Sequence, residues 1–392
     1  MTDGRSAAVF DPSMRRSLRI WARAMPRVAI CNNMVTPYTN RLFNHLVERR
    51  GLDLTVISCT AREKNRNWSE QYATSYTHVV LPGVEFALPE SRSAHFNVGM
   101  WRTLQRLSPD IVAVNGIYPT MLVAALWSFL KRRPLVFMTD GWAVMMPQSV
   151  LHRLARPAVV GRSQAVICAS EKGRSFFLEH GTDAAKIFVA NIVPAWAGPG
   201  STPKFEQRRH DLVWCGRVHD ERKNWPFFVA LVLALKRRFA GLSVRIIADS
   251  PARPRELDQL ASADIAFEYT PHIAPHEIAS AFMSARILAL PSRQDAWGLV
   301  CNEAMQCGTP CIVSPFTGVA GELVVDGISG LVRPLDIGDW VGAMLPLITD
   351  PARWSAMSKA AAHAASHYTL DRSAGKYVEG LSFAAAEFAR AA

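Results

Sequence analysis

The chain has 392 residues, 49% of them apolar, and a formal net charge of +11. That length suits two domains, and that apolar content excludes an intrinsically disordered chain. The seven cysteines sit singly, several inside apolar runs such as VAIC, VICAS and LVWCG. An odd number placed this way excludes a disulfide framework and points to buried thiols in a reducing compartment.

No Cys/His grouping has metal-ligand spacing, so no metal site is expected. The amino terminus has no apolar core of a secretory signal, and the longest apolar run, MLVAALWSFL, is too short to span a bilayer. A cytoplasmic protein is therefore expected. Its basic balance points to an anionic partner: nucleic acid, a membrane surface or a phosphorylated small molecule. The segment MRRSLRIWARAM carries Arg15, Arg16, Arg19 and Arg23 at roughly helical spacing, with Leu18, Trp21 and Met25 between them. WSFLKRRP and LHRLARPAVVGR mix bulky apolar and basic residues in the same way. Such segments either rest on an anionic lipid surface, at the inner face of a membrane, or are solvated faces of core helices. Interleaved aromatic and basic platforms are absent, so nucleic acid is not expected.

In chain order the elements alternate. PRVAICNN is a predicted strand, TNRLFNHLVERR a helix and LDLTVISC a strand. PDIVAVNG, PLVFMTD, QAVICAS and KIFVANI are further strands, separated by the helices TMLVAALWSFLKRR, LHRLARPAVVGR and EKGRSFFLEHG. A stretch rich in Pro, Gly and charge follows. Alternation then resumes with the strands HDLVWCGR, SVRIIADS, IAFEYT, RILALPS and PCIVSP and the helices PFFVALVLALKRRF, EIASAFMSA and LVCNEAMQC, before an Ala-rich helical tail. Nearly continuous apolar strands alternating with helices predict two α/β, doubly wound, Rossmann-like domains facing a central cleft. The expected boundaries are a basic extension over 1–24, a first domain over 25–197, a linker over 198–209 and a second domain over 210–370. A last helix, 371–392, is expected to pack back on the first domain. In such sheets ligands bind beyond the carboxyl ends of the strands.

Three stretches there carry chemistry. PSRQDAWGLVCNEAMQCGTP places Asp295 at the rim of a strand, Gly298 near a helix start and Glu303 about two turns further in. A helix start at a strand end favours an anion, and Glu303 suits vicinal hydroxyls; capping by Asp295 and an exposed Glu303 is the alternative. CGRVHDERKNWP ends a strand at Gly216 and supplies Arg217 and Lys223, a fork and a point charge for a diphosphate, or else two surface cations. His219 lies near Arg217. SPFTGVAGELVVDGISGLV turns through Thr317, Gly318, Gly321 and Glu322.

Together these resemble the carboxy-terminal domain of family 4 glycosyltransferases, over about residues 211–335. The resemblance is carried by Gly216, Arg217 and Lys223, then Pro291, Ser292, Asp295, Trp297, Gly298, Leu299, Glu303 and Ala304. Gly308, Pro310, Gly318, Glu322, Asp326, Gly327 and Gly330 complete it. It implies a GT-B fold and a retaining transferase acting in exopolysaccharide, lipopolysaccharide or other glycoconjugate assembly. The donor would be a UDP- or GDP-sugar, with no cofactor and no metal, and the acceptor a lipid-linked or glycan hydroxyl. Arg217 and Lys223 would neutralise the leaving diphosphate, and Asp295 would sit by the donor sugar. Gly216, Trp297, Gly298, Leu299, Glu303, Gly318 and Glu322 would bind the donor, Glu303 through the ribose. Asp295 departs from the Glu usual there and is one methylene shorter.

The amino-terminal half resembles the family less closely. NNMVTPYTNRLF lacks the usual Gly-Gly loop, and Asn33, Thr36, Tyr38 and Thr39 are candidates for acceptor or phosphate contact, with helix capping by Thr39 the alternative. Asp140 falls where many members place a His beside the donor sugar, and Asn115 ends a strand on the cleft side. Ser170 reads as a helix cap. The base is expected around Tyr269 to His272. The other readings left open are a sugar-nucleotide epimerase and a non-catalytic anion- or nucleic-acid-binding protein.

Overall fold

The computed structural model describes residues 26–62, 72–88, 92–146, 150–250, 252–271, 273 and 277–391. The basic segment around Arg15 to Arg23, and His272, lie outside the described residues.

The amino-terminal half runs β1 (Arg27–Asn32), α1 (Pro37–Glu48), β2 (Asp53–Ser58), β3 (Thr77–Val80), β4 (Gly83–Leu88), β5 (Arg92–Asn97) and α2 (Met100–Leu107). It continues with β6 (Ile111–Asn115), α3 (Pro119–Leu130), β7 (Leu135–Thr139), α4 (Val150–Arg162), β8 (Ala165–Cys168), α5 (Glu171–Glu179) and β9 (Ile187–Val189). Apart from the β4–β5 hairpin, these strands form one parallel sheet in the order β3-β2-β1-β6-β7-β8-β9. Their sequences are almost wholly apolar because helices cover both faces: all four residues of β8 and the first four of β6 are buried. From residue 190 to 209 the chain forms no strand or α-helix, only a short 3-10 turn at Phe205–Gln207.

The carboxy-terminal half runs β10 (His210–Arg217), α6 (Trp225–Lys236), β11 (Ser243–Asp249), α7 (Glu256–Ser262), β12 (Ala266–Thr270), α8 (Ile278–Met283), β13 (Ala285–Leu290), α9 (Leu299–Gln306), β14 (Cys311–Val313) and β15 (Gly330–Val332). Its parallel sheet has the order β12-β11-β10-β13-β14-β15. Three helices close the chain: α10 (Ile337–Thr349), α11 (Pro351–Ser366) and α12 (Leu370–Ala391). The predicted doubly wound pair of sheets is therefore present. The elements without a sequence expectation are the short or edge pieces: β3, the β4–β5 hairpin, α2, α7 and β15. All seven cysteines are free, and all but the half-buried Cys215 are buried.

Helix α12 returns to the amino-terminal sheet. Its Ala374, Leu381 and Ala384 share one buried cluster with Val28, Ile30, Ala113, Val136 and Ile167. Gly380 permits the approach, since a Cβ there would stand 3.1 Å from Ile167 Cγ1. The last helix is thus part of the first core. Replacing Leu381, 1% exposed, with Ala is expected to cost about 2–5 kcal/mol. Urea unfolding of the full chain measures it, and a loss below about 1 kcal/mol would show that the helix is not an integral part of that core.

Candidate functional site

The carboxy-terminal sheet reverses its order between β10 and β13, the two strands that flank its switch point. In open α/β sheets the ligand crevice lies at such a point, beyond the strand ends. Its residues come from the turn after β10, the loop between β13 and α9, and the turn after β14.

At the end of β10, Asp220 is wholly buried and accepts from Arg217 Nη2 at 2.7 Å, Arg222 Nη2 at 2.7 Å and Arg222 Nε at 2.8 Å. Burial alone would push its carboxyl up. Arg222, Arg217 and Lys223 outweigh that and hold it at about 2. Arg217 is thereby fixed beside the crevice, and Arg222 is a third cation that the sequence pattern did not single out. Lys223 Nζ donates to Asp295 Oδ2 at 2.6 Å, and both side chains are largely buried. Gly216 fits where a Cβ would stand 3.2 Å from the Trp214 ring. His219 is exposed and takes no part.

The loop after β13 lies against the turn after β14. Asp295 N donates to Phe316 O at 3.0 Å, Gly318 N to Asp295 O at 3.1 Å and Val319 N to Trp297 O at 2.8 Å. Gly318 is required by this contact: a Cβ would stand 2.2 Å from Ala296 O. Its N–H is committed to Asp295, so its expected role as a donor contact becomes a steric one. Gly298 has φ 106° and opens α9 at Leu299, whose first N–H groups have no partner within the helix. Trp297 is 1% exposed and packs among Leu290, Cys301 and Val319. Its ring belongs to the core, which corrects its expected place among the donor contacts. The far end of α9 is held by buried Arg208, which donates to the Cys307 and Gly308 carbonyls at 2.8 and 3.1 Å. A cation at a helix carboxyl end is favourable. Glu303, in the second turn of α9, is pushed up to about 7 by burial, with the nearby Trp196 indole pulling the other way.

Glu322 departs from its expected donor role. Its Oε1 accepts from Asn191 Nδ2 at 2.7 Å and its Oε2 from Glu171 N at 2.8 Å. Both oxygens are engaged by the amino-terminal half, because the turn carrying Glu322 lies against the start of α5. Two more residues cross the same way without any signal in the sequence pattern. Lys172 Nζ donates to Pro315 O at 2.6 Å and Thr317 O at 2.8 Å, and Trp142 Nε1 donates to Asp295 O at 3.0 Å.

On the amino-terminal side, Asn33, Asn115, Asp140 and Ser170 lie at or just beyond the ends of β1, β6, β7 and β8. Asn115 Nδ2 and Asn33 N both donate to Asn32 Oδ1 at 2.9 Å. Asn33 Oδ1 is buried with no hydrogen bond among the described residues. Thr36, expected on the acceptor side, is instead the N-cap of α1. It accepts from Thr39 N at 3.2 Å, and Thr39 Oγ1 accepts from Thr36 N at 2.8 Å. The reciprocal capping box occupies both hydroxyls. Ser170 caps α5, accepting from Gly173 N at 3.2 Å. Asp140 is pushed up to about 6 by burial. Tyr377 of α12 lies beside Asp140 and Tyr38, its phenol raised first by burial and then by those neighbours. A residue so far along the chain gives no sequence signal for this place.

Two family models divide the chain between them. Residues 35–191 match "Glycosyl transferase 4-like domain" and residues 209–350 match "Glycosyl transferases group 1". The chain belongs to the family 4 glycosyltransferases. A D-inositol 3-phosphate glycosyltransferase of Rhodococcus erythropolis is 33% identical over 161 residues, 38% of this chain and 36% of that relative. The chain therefore spans about a third of the length of that curated relative. HepE of Anabaena, solved with UDP and glucose, superposes with a TM-score of 0.66 at 14% identity, covering 91% of this chain and 99% of that one. WaaG, a glycosyltransferase involved in lipopolysaccharide biosynthesis, superposes with a TM-score of 0.61 at 16% identity, covering 90% and 99%. The fold is GT-B, as the family resemblance implied.

Two outcomes follow from this geometry. Gly318→Ala is expected to drive apart the two loops and destabilise the protein by about 3 kcal/mol or more, read from urea unfolding; a near-neutral effect would contradict the close contact. For Glu303 the folded value, about 7, lies above the ordinary 4.5. A raised acid favours folding in its protonated form, so its cost appears as pH rises from about 4.5 and is complete above about 7. Glu303→Gln is therefore expected to raise the melting temperature relative to wild type more at pH 8 than at pH 4. An equal change at both would show that Glu303 is not desolvated.

Proposed function

We propose that this chain is a retaining glycosyltransferase that moves a sugar from a nucleoside diphosphate donor to an acceptor hydroxyl in glycoconjugate assembly. The observation that carries this reading is the Lys223–Asp295 pair at 2.6 Å, set beside the Arg217–Asp220–Arg222 cluster in the switch-point crevice. Asp295 holds the ammonium of Lys223 in place, where a diphosphate would meet it without reorganisation. Charge that develops on the leaving phosphate is then stabilised by Lys223, Arg217 and the first N–H groups of α9. The proposal includes no metal, because these groups supply the positive charge. Glu303 takes the ribose hydroxyls as a carboxylate, so donor binding favours its ionised form. The shorter Asp295 keeps its carboxylate with Lys223 and its backbone under the donor sugar. Asp140 lies by the donor sugar, and Asn33, Asn115 and Tyr38 face the acceptor. A UDP-sugar is favoured over a GDP-sugar by the likeness to HepE, which was solved with UDP.

The acceptor is proposed to be lipid-linked and met at an anionic membrane surface. Leu126, Phe129 and Leu130 of α3 and Val150 and Leu154 of α4 are each at least 52% exposed. Lys131, Arg132, Arg133 and Arg153 flank them, and the Arg162 guanidinium lies 5.4 Å from the Phe129 ring. Apolar groups among cations suit a surface of anionic lipid. Among the described residues no helix is long and apolar enough to cross a membrane.

Thermal-shift titration tests the donor. UDP or its sugar conjugates are expected to raise the melting temperature, with affinity about tenfold weaker in Lys223→Ala. No shift with any UDP or GDP compound would overturn the reading. Flotation with phosphatidylglycerol vesicles tests the surface: wild type is expected to float, and Phe129→Glu with Leu154→Glu to stay below. Equal behaviour of the two would remove the membrane partner.

A further inference from the structure

Part of the contact between the two halves is built on one short piece of helix α5. Glu171 and Lys172, its first two residues, grip the turn after β14 from two sides. Glu171 N holds Glu322 Oε2 at 2.8 Å, while Lys172 Nζ holds the carbonyls of Pro315 and Thr317 at 2.6 and 2.8 Å. Lys172 also lies 4.6 Å from the centre of the Trp142 ring, and the same indole donates to Asp295 O at 3.0 Å.

These partners matter because of what they are joined to. Thr317 is bridged to Asp295 in parallel-strand fashion, and Asp295 carries Lys223. Carbonyls of Pro315, Thr317 and Asp295 thus all accept from two amino-terminal side chains, beside the local Ala320 N on Thr317 O at 3.3 Å and Gly318 N on Asp295 O at 3.1 Å. An ammonium in this place is costly: burial pulls Lys172 down to about 8, although Glu322 opposes the change. If the halves parted, Lys172 would regain water, Pro315 O would lose the lysine, and Thr317 O and Asp295 O would each keep one local donor and lose a second. A cation with two acceptors and a ring is a geometry that a long cationic side chain completes.

We infer that Lys172 and Trp142 are positioning residues of the donor site, which reinforce the hold of the Phe316–Gly318 turn on Asp295 and its Lys223 partner while the two halves are in contact. The inference rests on the proposed nucleotide-sugar donor for its functional meaning, and on the contacts alone for its structural part. Neither residue needs to touch the donor. They act through the backbone of 295 and of 315–317, so the crevice is fully braced only when the amino-terminal half is docked.

The test uses the full chain, with Lys172→Met, Lys172→Arg and Trp142→Phe. Calorimetric titration with UDP, and with GDP, is expected to show about tenfold weaker binding in Lys172→Met. Arginine, which can reach two carbonyls and lie on the same ring, is expected to restore most of it. Trp142→Phe keeps a ring and loses the N–H to Asp295, so it is expected to weaken binding while its melting temperature stays near that of wild type. Small-angle scattering without nucleotide gives a second reading: Lys172→Met is expected to be more expanded than wild type and Lys172→Arg alike. If wild type binds a nucleotide and Lys172→Met binds it equally well, the inference fails while the donor reading stands. If wild type binds neither nucleotide, the donor reading fails, and equal radii of gyration for wild type and Lys172→Met would then overturn the contact as well. Should Lys172→Met not fold, Trp142→Phe with unchanged nucleotide affinity would overturn the inference.

Discussion

The crevice depends on one backbone contact, the pairing of Asp295 with the Phe316–Gly318 turn. Two hydrogen bonds of 3.0 and 3.1 Å make it, and only a residue without a Cβ fits at position 318. Because this contact fixes Asp295, it also fixes where Lys223 ends, how α9 starts at Gly298, and which carbonyls face the amino-terminal half. The glycine turn is therefore a spacer between two loops. A flexible turn would leave Asp295 free to move and the lysine without a stable partner.

Charge in the site follows from burial and pairing in different proportions. Asp220 has three cations close by and remains a strong acid despite its burial. Glu303 is desolvated, with an indole opposing the change, and sits at about 7. These two acids lie in one crevice yet serve different ends. Asp220 orders Arg217 and Arg222, a structural task that needs permanent charge. Glu303 gains its full charge most readily when hydroxyls are offered to it, a coupling between ligand and proton that suits a ribose contact. The overall positive charge of the chain acts on a larger scale, at the apolar and basic face of α3 and α4.

The sheets were legible because parallel strands buried on both faces read as unbroken apolar runs. VAIC, IVAV and AVIC gave β1, β6 and β8 directly. The hairpin of β4 and β5 was not legible, since its exposed Val84 and Phe96 alternate with polar residues and break no clear period. Within the site, the local motifs bring Lys223 and Asp295 into contact, with Glu303 in the second turn of α9. The misplacements came from side chains whose direction spacing alone does not give. Trp297 turns into the core, Glu322 turns across the cleft, and Thr36 closes a helix. Lys172, Trp142 and Tyr377 were invisible for a related reason. Their importance comes from a partner more than a hundred residues away in each case, and a single sequence carries no sign of such a contact.

The central claim is that a nucleoside diphosphate occupies the switch-point crevice between β10 and α9. Hydrogen–deuterium exchange of the full chain, with and without saturating UDP, tests it most directly. The account expects protection in two separate stretches, residues 216–224 and 295–304, with little change in β2 or β3. Binding of UDP with protection elsewhere, and none in those two stretches, would contradict it.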